Sequence, residues 1–485
     1  MNSIFKRLTP LAKSGLLFGK QTVQRKTWFM ASRFRYEDTY FHVEEEKELE
    51  NPEYNEISNE YLGAIAKGHR TFVIQPYIKW GKGKKYNTNR DLQLAEAVAL
   101  VETLPHWTVV DKMCVPLLTL EREQLFGSGS LENVKTRVKC GRNVTAIFIS
   151  TNTLKHVQLL ELERIFGVPI YDRYSLVIHI FRCHAMSPEA KLQVALAELP
   201  YIYKKMSELC GRINLLEKRR LYLQAREAQL RTALQKLKNN REMIRKKRKN
   251  RGFATVAVVG YTNAGKTSLI KGTLINKIQV QVCKALTSDE VLKPRNVLFA
   301  TLDTTAHEGY LPCNMKVLYI DTIGFIQDVP ETLIEPFVAT LEDAMIADII
   351  VHVYDASHPD KEAQIDHVRK TLKSLTDGNR PLIEVANKCD LIEAGTLPEE
   401  ALGISAKTTS GIDVLRYEIE KKVLSETGRS VIKMRVESGS EAAAWLYKEA
   451  TVVNAEADPK DPQFLLLDVV VTENTLHRFR RFLRQ

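Results

Sequence analysis

The chain has 485 residues, enough for about three domains, and 44% of them are hydrophobic, which permits ordinary cores. No stretch approaches the ~20 continuous apolar residues of a membrane span, so no stable membrane insertion is expected. The seven cysteines lack CxxC spacing, which speaks against a zinc ribbon or a disulfide framework and for a reducing compartment, and the formal charge of +11 matters more for its placement than its sum.

Eight basic residues and no acidic one precede Glu37: Lys6, Arg7, Lys13, Lys20, Arg25, Lys26, Arg33 and Arg35. Phe5, Leu8, Leu11, Leu16, Leu17, Phe18, Trp28 and Phe29 are mixed among them. This composition reads as a mitochondrial transit peptide over 1–36 and predicts a matrix protein, a basic tail being the plainer alternative. The rest of the chain is close to neutral, so nucleic-acid contact must rest on local patches. Residues 37–70 contain "EEEKELENPEYNE" and read as a loose acidic linker.

From Thr71 strands and helices alternate. "TFVIQPYI", "WTVV" and "NVTAIFIS" read as strands, and "LKHVQLLELERIF" as a helix. "DLQLAEAVALVETL" is a further helix with Leu94, Val98 and Val101 along one face. The alternation predicts a small N-terminal α/β domain over 71–200. Tyr201 to Arg251 contains no proline, and Leu216, Leu223, Leu230, Leu234 and Leu237 recur at near-heptad intervals. This predicts two long helices or an antiparallel hairpin over 201–251. Its end, "KLKNNREMIRKKRKNR", is strongly basic and reads as a contact with RNA phosphates, against the plainer reading of a solvated face. A second alternation predicts a phosphate-loop α/β domain over 252–430 with a doubly wound, mostly parallel sheet. "VIKMRV", "EAAAWLYKEA", "ATVVNAEA", "FLLLDVVV" and "ENTLHRFRRFL" predict a small C-terminal α/β domain over 431–485.

Gly260, Gly265, Lys266 and Thr267 satisfy GxxxxGK[ST] between a β-branched strand and a helical segment. Glycines let the backbone N–H groups curl toward phosphate oxygens, and the helix N-terminus adds its positive end. The predicted cradle is Gly260, Tyr261, Thr262, Asn263, Ala264, Gly265, Lys266, Thr267 and Ser268. Lys266 would bridge the β- and γ-phosphates and Thr267 would ligate Mg²⁺. Downstream, "YIDTIGF" supplies Asp321, Thr322, Ile323 and Gly324: the carboxylate for magnesium through water, and the Gly324 N–H for the γ-phosphate. Between them "LFATLDTTAH" offers Phe299, Ala300, Thr301, Leu302 and Asp303. Thr301 is taken as the switch threonine that completes the magnesium shell, with Thr304 and Thr305 as alternatives. Lys266, Thr301 and Gly324 are the predicted catalytic groups, and Thr267 and Thr301 the metal ligands.

The base is chosen by "ANKCD", that is Asn387, Lys388, Cys389 and Asp390. A carboxylate at Asp390 accepts from guanine N1–H and N2–H₂, and adenine offers neither donor. Losing such a bidentate pair costs on the order of a few kcal/mol. Ser405, Ala406 and Lys407 would offer backbone N–H to guanine O6. The ligand is therefore GTP or GDP. Where many GTPases carry a glutamine that orients the attacking water, this chain has Phe325, so intrinsic turnover should be slow and stimulated by a partner. Asn263 stands where potassium-stimulated GTPases help to hold K⁺; a turn asparagine is the alternative.

These residues carry a resemblance. "GYTNAGKTSLI", "FATLDTT", "DTIGFIQDVPETLIEPFVATLEDAMIADIIVHVYDASHP" and "NKCD" resemble the HflX family of ribosome-associated GTPases. "LFGSGSLENVK" is similar to that family's GxGK segment, and "VPIYDRYSLVIHIFRCHAMSPEAKLQVALAELPYI" to its VDR…LQVELA block. "WLYKEA" and the transit-like start resemble the mitochondrial branch. The resemblance implies a monomer that works on the mitochondrial ribosome, on its large subunit and rRNA. Its N-terminal domain and arm would dock near the peptidyl-transferase region. It would split subunits in the GTP state, aid late large-subunit assembly, and leave after hydrolysis; a placeholder that does not split is the alternative. Three departures stand out: Ser130 for the family lysine, His184 for an arginine, and the single Gly211 where a glycine-rich loop is usual. Neither that loop's activity nor ATP use by the N-terminal domain is carried over.

Replacing Asp390 by Asn should lower guanine-nucleotide affinity by about a hundredfold or more. It should also gain xanthine nucleotides, whose 2-carbonyl pairs with the new amide. Competition binding with fluorescent GDP reads both changes; equal affinity of the unsubstituted chain for ADP and GDP would contradict the assignment.

Overall fold

The computed structural model describes residues 52–62, 68–79, 89–141, 143–206, 213–250, 254–274, 298–299, 302, 305–326, 346–375, 380–393 and 401–483. The predicted transit segment lies outside them. Among the described residues, all three sheets belong to the unit Glu56–Gln485. Part of the predicted linker is helical: α1 spans Pro52–Leu62. Its apolar residues recur at helical spacing, Ile57 is buried, and the Ser58 hydroxyl donates to Glu198 at 3.1 Å.

The N-terminal sheet contains β1 (Arg70–Ile78), β2 (Thr108–Leu117), β3 (Ala146–Ile149) and β4 (Ile170–Tyr171), all parallel, in the order β2-β1-β3-β4. Side chains alternate between its faces. Phe72, Ile74, Ile147 and Ile149 pack with α3 (Ser128–Cys140) and α4 (His156–Phe166), while Val73 and Phe148 pack with α2 (Arg90–Thr103) and α5 (Arg173–His184). β2 runs well beyond "WTVV", through Asp111, Lys112 and Pro116. It is an edge strand, where a proline and charges are tolerated.

The buried helix α5 is fixed by its cap. Asp172 Oδ1 accepts from the Ser175 N–H at 2.9 Å, and Oδ2 accepts from the Leu154 N–H at 3.1 Å. The arm is made of α6 (Pro188–Met206) and α7 (Ile213–Asn250). Its first helix starts before Tyr201 and runs through Pro200, across the 200/201 division drawn from sequence. On α7, Leu223 and Leu230 of the near-heptad set are buried and Leu234 and Leu237 are half-buried, while Ala233, outside that set, is also buried.

The second sheet has the order β10-β9-β8-β5-β7-β6. Its strands are β5 (Ala254–Gly260), β6 (Thr305–Tyr310), β7 (Lys316–Asp321), β8 (Ile349–Asp355), β9 (Leu382–Asn387) and β10 (Leu402–Gly403). Only β6 is antiparallel to its neighbour. The helices around it are α8 (Lys266–Leu274), α9 (Lys361–Leu375) and α10 (Ile412–Glu426). β5, at its centre, ends at Gly260, where a Cβ would lie 2.0 Å from the Val353 carbonyl oxygen of β8; only glycine allows this approach.

The C-terminal segment has the predicted order: β11 (Arg429–Glu437), α11 (Glu441–Glu449), β12 (Thr451–Asp458), β13 (Asp461–Thr472) and α12 (Glu473–Phe482). The sheet is antiparallel, β11-β13-β12, and Leu446, Leu467, Val469 and Phe479 form its core.

One core crosses between the first two sheets. Val177, Ile180 and Phe181 of α5 belong to the same buried cluster as Phe299, Leu302, Ile323, Phe325 and Ile326. The Phe181 and Phe299 rings meet edge to face with centroids 4.8 Å apart.

Candidate active site

Strand β5 delivers the phosphate loop to the C-terminal edge of the parallel sheet, where open α/β sheets bind ligands. The loop turns through Asn263 at φ +60° and Gly265 at φ +91°. Asparagine tolerates such a φ, and Asn263 is exposed. Lys266 opens α8 with a buried side chain, its Nζ donating to the carbonyls of Gly260 (3.2 Å) and Tyr261 (3.0 Å). Burial pushes the ammonium down to about 8, against the pull of Asp321. Phosphate oxygens would replace these two carbonyls as its partners.

The Thr267 hydroxyl donates to Asp321 Oδ2 at 2.6 Å. One hydroxyl and one carboxylate side by side are hard oxygen donors, which suits Mg²⁺. Ser268 follows on α8, partly buried. Thr322 is held by its hydroxyl, which donates to the Val258 carbonyl at 2.9 Å, and Ile323 is buried. Gly324 lies against Thr262 and the Lys266 ammonium. Two backbone bonds join the loops: the Thr262 N–H donates to the Phe325 carbonyl at 2.7 Å, and the Phe325 N–H to the Gly260 carbonyl at 3.1 Å.

Asn387, at the end of β9, spans the pocket. Its Nδ2 donates to the Ala264 carbonyl at 2.8 Å, and its Oδ1 accepts from the Ala406 N–H at 3.0 Å. Gly265 must be glycine here, because a Cβ would lie 2.3 Å from Asn387 Nδ2. Lys388 adopts φ +64° and its Nζ pairs with Asp355 Oδ2 at 2.6 Å. Burial opposes the Asp355 charge, but the bonds from Lys388 and Ser357 outweigh it and hold that carboxyl below its ordinary range. Cys389 is tied by its N–H to the Ile404 carbonyl at 3.0 Å. Asp390 is exposed, with Oδ1 accepting from the Ser405 hydroxyl at 2.7 Å.

The structure thus brings the phosphate loop, Asp321–Gly324, Asn387–Asp390 and Ser405–Lys407 to one edge of one sheet. Two findings refine the expectation. The N–H groups of Ser405 and Ala406 are engaged within the protein, by Ser410 and Asn387, while Lys407 is exposed. Phe299 and Leu302 are buried in the shared core, whereas Ala300, Thr301, Asp303 and the alternative Thr304 lie outside the described residues. Thr305 pairs in register with Asp321 across β6 and β7. Ser130 sits in the first turn of α3 and His184 at the last residue of α5, while Gly211 lies outside the described residues. Sequence reasoning missed Glu96. Its Oε2 accepts from the Tyr261 hydroxyl at 2.7 Å, and no local motif announces a partner so far away in the chain.

The chain is similar to known proteins. Residues 91–182 match the family described as "GTP-binding GTPase N-terminal", and residues 255–388 match "50S ribosome-binding GTPase". "Putative GTP-binding protein 6" of Xenopus laevis is 37% identical over 463 residues, covering 92% of this chain and 85% of the relative. Its Homo sapiens counterpart is 38% identical, covering 85% and 81%. "GTPase HflX" of Caldanaerobacter subterraneus is 34% identical, covering 64% and 72%. Among solved structures, a complex of SsGBP with GDP is 21% identical and covers 74% of this chain and 99% of its own, with a TM-score of 0.43.

A Lys266 ammonium held down to about 8 should make nucleotide binding proton-linked. With its amine at about 8, the free site loses charge as the pH rises, while the phosphates require the ammonium. Binding should therefore take up a proton, and GDP affinity should fall by about fourfold between pH 7 and pH 8.5. Fluorescent GDP titrations check this, and a flat profile over that interval would contradict it.

Proposed function

This chain belongs to the HflX family of GTPases, and we propose that its nucleotide cycle acts on the mitochondrial ribosome. It binds guanine nucleotide and hydrolyses GTP. The loop Gly260–Ser268 would cradle the phosphates, with Lys266 across the β- and γ-phosphates and the Gly324 N–H on the γ-phosphate. Mg²⁺ would be held by Thr267 and Thr301, with Asp321 through water, and would neutralise charge between the β- and γ-phosphates. Asp390 would read N1–H and N2–H₂ of guanine from its exposed position. Asn263, exposed beside the phosphates, would give K⁺ one ligand.

Hydrolysis needs a water held in line with the leaving group. The Phe325 side chain neither donates nor accepts, and it is buried in the core shared with the N-terminal domain. Water must then be placed by backbone groups or by a partner, which makes slow intrinsic turnover and stimulation on the ribosome the natural combination. The partner is taken to be the large subunit and its rRNA. The 38-residue helix α7, about 57 Å long, supports this: the basic end of its sequence closely precedes β5, the strand that leads to the phosphate loop. The description "50S ribosome-binding GTPase" for the family matched by residues 255–388 supports it further. The basic start of the chain supports delivery to the matrix.

The observation that carries this reading is the joint core. Phe299 and Phe325 are buried in one cluster with Val177, Ile180 and Phe181 of the N-terminal domain, a contact through which nucleotide state and N-terminal docking would be coupled. In the GTP state the factor would hold the large subunit and part it from the small one; hydrolysis would let it go. Slow turnover equally suits a placeholder in late large-subunit assembly, where hydrolysis only times departure.

Sucrose gradients of mitochondrial ribosomes with the purified chain separate the two. With a non-hydrolysable GTP analogue, splitting gives free subunits with the protein on the large one. Thr267→Ala, which loses the metal ligand, should leave the ribosomes intact. Binding to large subunits without splitting selects the placeholder, and intact particles without co-sedimentation in any nucleotide state reject both.

A further inference from the structure

The second residue of the phosphate loop is anchored outside the GTPase domain. The Tyr261 hydroxyl donates to Oε2 of Glu96, which lies on α2 of the N-terminal domain, at 2.7 Å. The other oxygen, Oε1, accepts from the guanidinium of Arg173. Arg173 is itself almost fully buried and opens α5, directly after the capping residue Asp172. Its N–H donates to the Thr151 carbonyl at 3.0 Å, and its Nη1 reaches the Ser150 hydroxyl at 3.4 Å. The chain Tyr261–Glu96–Arg173 thus ends on a helix whose start is held from several sides.

What Tyr261 does at its main chain gives this anchor a consequence. Its carbonyl accepts from the Lys266 ammonium at 3.0 Å and from the Ala264 N–H at 3.3 Å. The same carbonyl therefore shapes the loop and holds the lysine that must turn to the phosphates. A side chain fixed at its far end limits where that carbonyl can lie. Phenylalanine would pack in the same space and lose only the hydroxyl, so the hydroxyl's partner, and not the ring, is the specific element. A second tie runs close by: the Leu298 N–H donates to the Thr103 hydroxyl at 3.4 Å, also on α2.

We propose that Glu96 and Arg173 are positioning residues of the nucleotide site, acting through Tyr261 to hold the phosphate loop in its binding shape. The N-terminal domain thereby has a direct hold on nucleotide affinity. Whatever displaces α2 from the loop loosens the nucleotide, and by linkage nucleotide occupancy changes what the N-terminal domain presents. The inference rests on the guanine-nucleotide reading of the pocket, and its test keeps the two apart.

The test is the release rate of a fluorescent GDP from the full chain, by stopped flow, for the unsubstituted protein, Tyr261→Phe, Glu96→Gln and the double variant. Each single variant should release GDP about fivefold faster, at the lower end of ordinary coupling between two sites. The double variant should be no faster than the faster single, because Glu96 acts on the loop through the Tyr261 hydroxyl, which Tyr261→Phe already removes. Thermal unfolding of each variant, in the absence of nucleotide, distinguishes a positioning effect from a loss of fold: the release change should appear with midpoints that stay together. Unchanged release in both singles, or effects that multiply in the double, overturns the proposal while leaving the pocket intact. Failure of the unsubstituted chain to bind the probe at all overturns both.

Discussion

Two backbone hydrogen bonds, from Thr262 to Phe325 and from Phe325 to Gly260, weld the phosphate loop to the segment that follows Asp321. They fix where the Phe325 side chain goes, and it goes into the core shared by the two sheets. Everything specific about this GTPase grows from that placement. Where other GTPases carry a glutamine that orients water, this chain packs Phe325 into that core, so the proposed cycle looks to a partner at the γ-phosphate end of the pocket. The same packing draws Phe299 and Leu302 inward, against α5 of the N-terminal domain.

The rest of the pocket is held by a few polar side chains, each serving two elements. Asn387 joins the phosphate loop to the loop that carries Ala406. Thr322 ties the start of the Asp321 segment back to β5. Each such hydrogen bond contributes only about 1 kcal/mol net, but leaving a buried partner unmet costs more, so the set resists partial loss. Lys266 is the exception: desolvation works against its charge, and only an anion in the pocket would fully offset that.

Much of this is legible in the sequence because it is local. GxxxxGK[ST] after a β-branched strand, Asp321 at the end of a buried one, and Asn387–Asp390 after another each announce their own element. The C-terminal strand and helix order is equally plain from alternation and apolar faces. What stays hidden depends on distant partners. β2 looks short in sequence because Asp111, Lys112 and Pro116 seem to end it, and only its edge position explains why they do not. A division at Pro200 is the natural reading, since a proline usually marks a boundary, yet α6 carries it inside. Nothing in "DLQLAEAVAL" distinguishes Glu96 from any exposed helical glutamate, because its partners Tyr261 and Arg173 come from elsewhere in the chain.

The most direct test is to put the missing glutamine in place. In Phe325→Gln the amide would have to enter the core shared with the N-terminal domain, where an unmet polar group costs about 1–3 kcal/mol. The expected result is a lower unfolding midpoint with no gain in the single-turnover rate of GTP hydrolysis, while Phe325→Leu keeps both near their original values. A faster hydrolysis at an unchanged midpoint would mean that this side chain faces the γ-phosphate and not the core, and would contradict the role assigned to it.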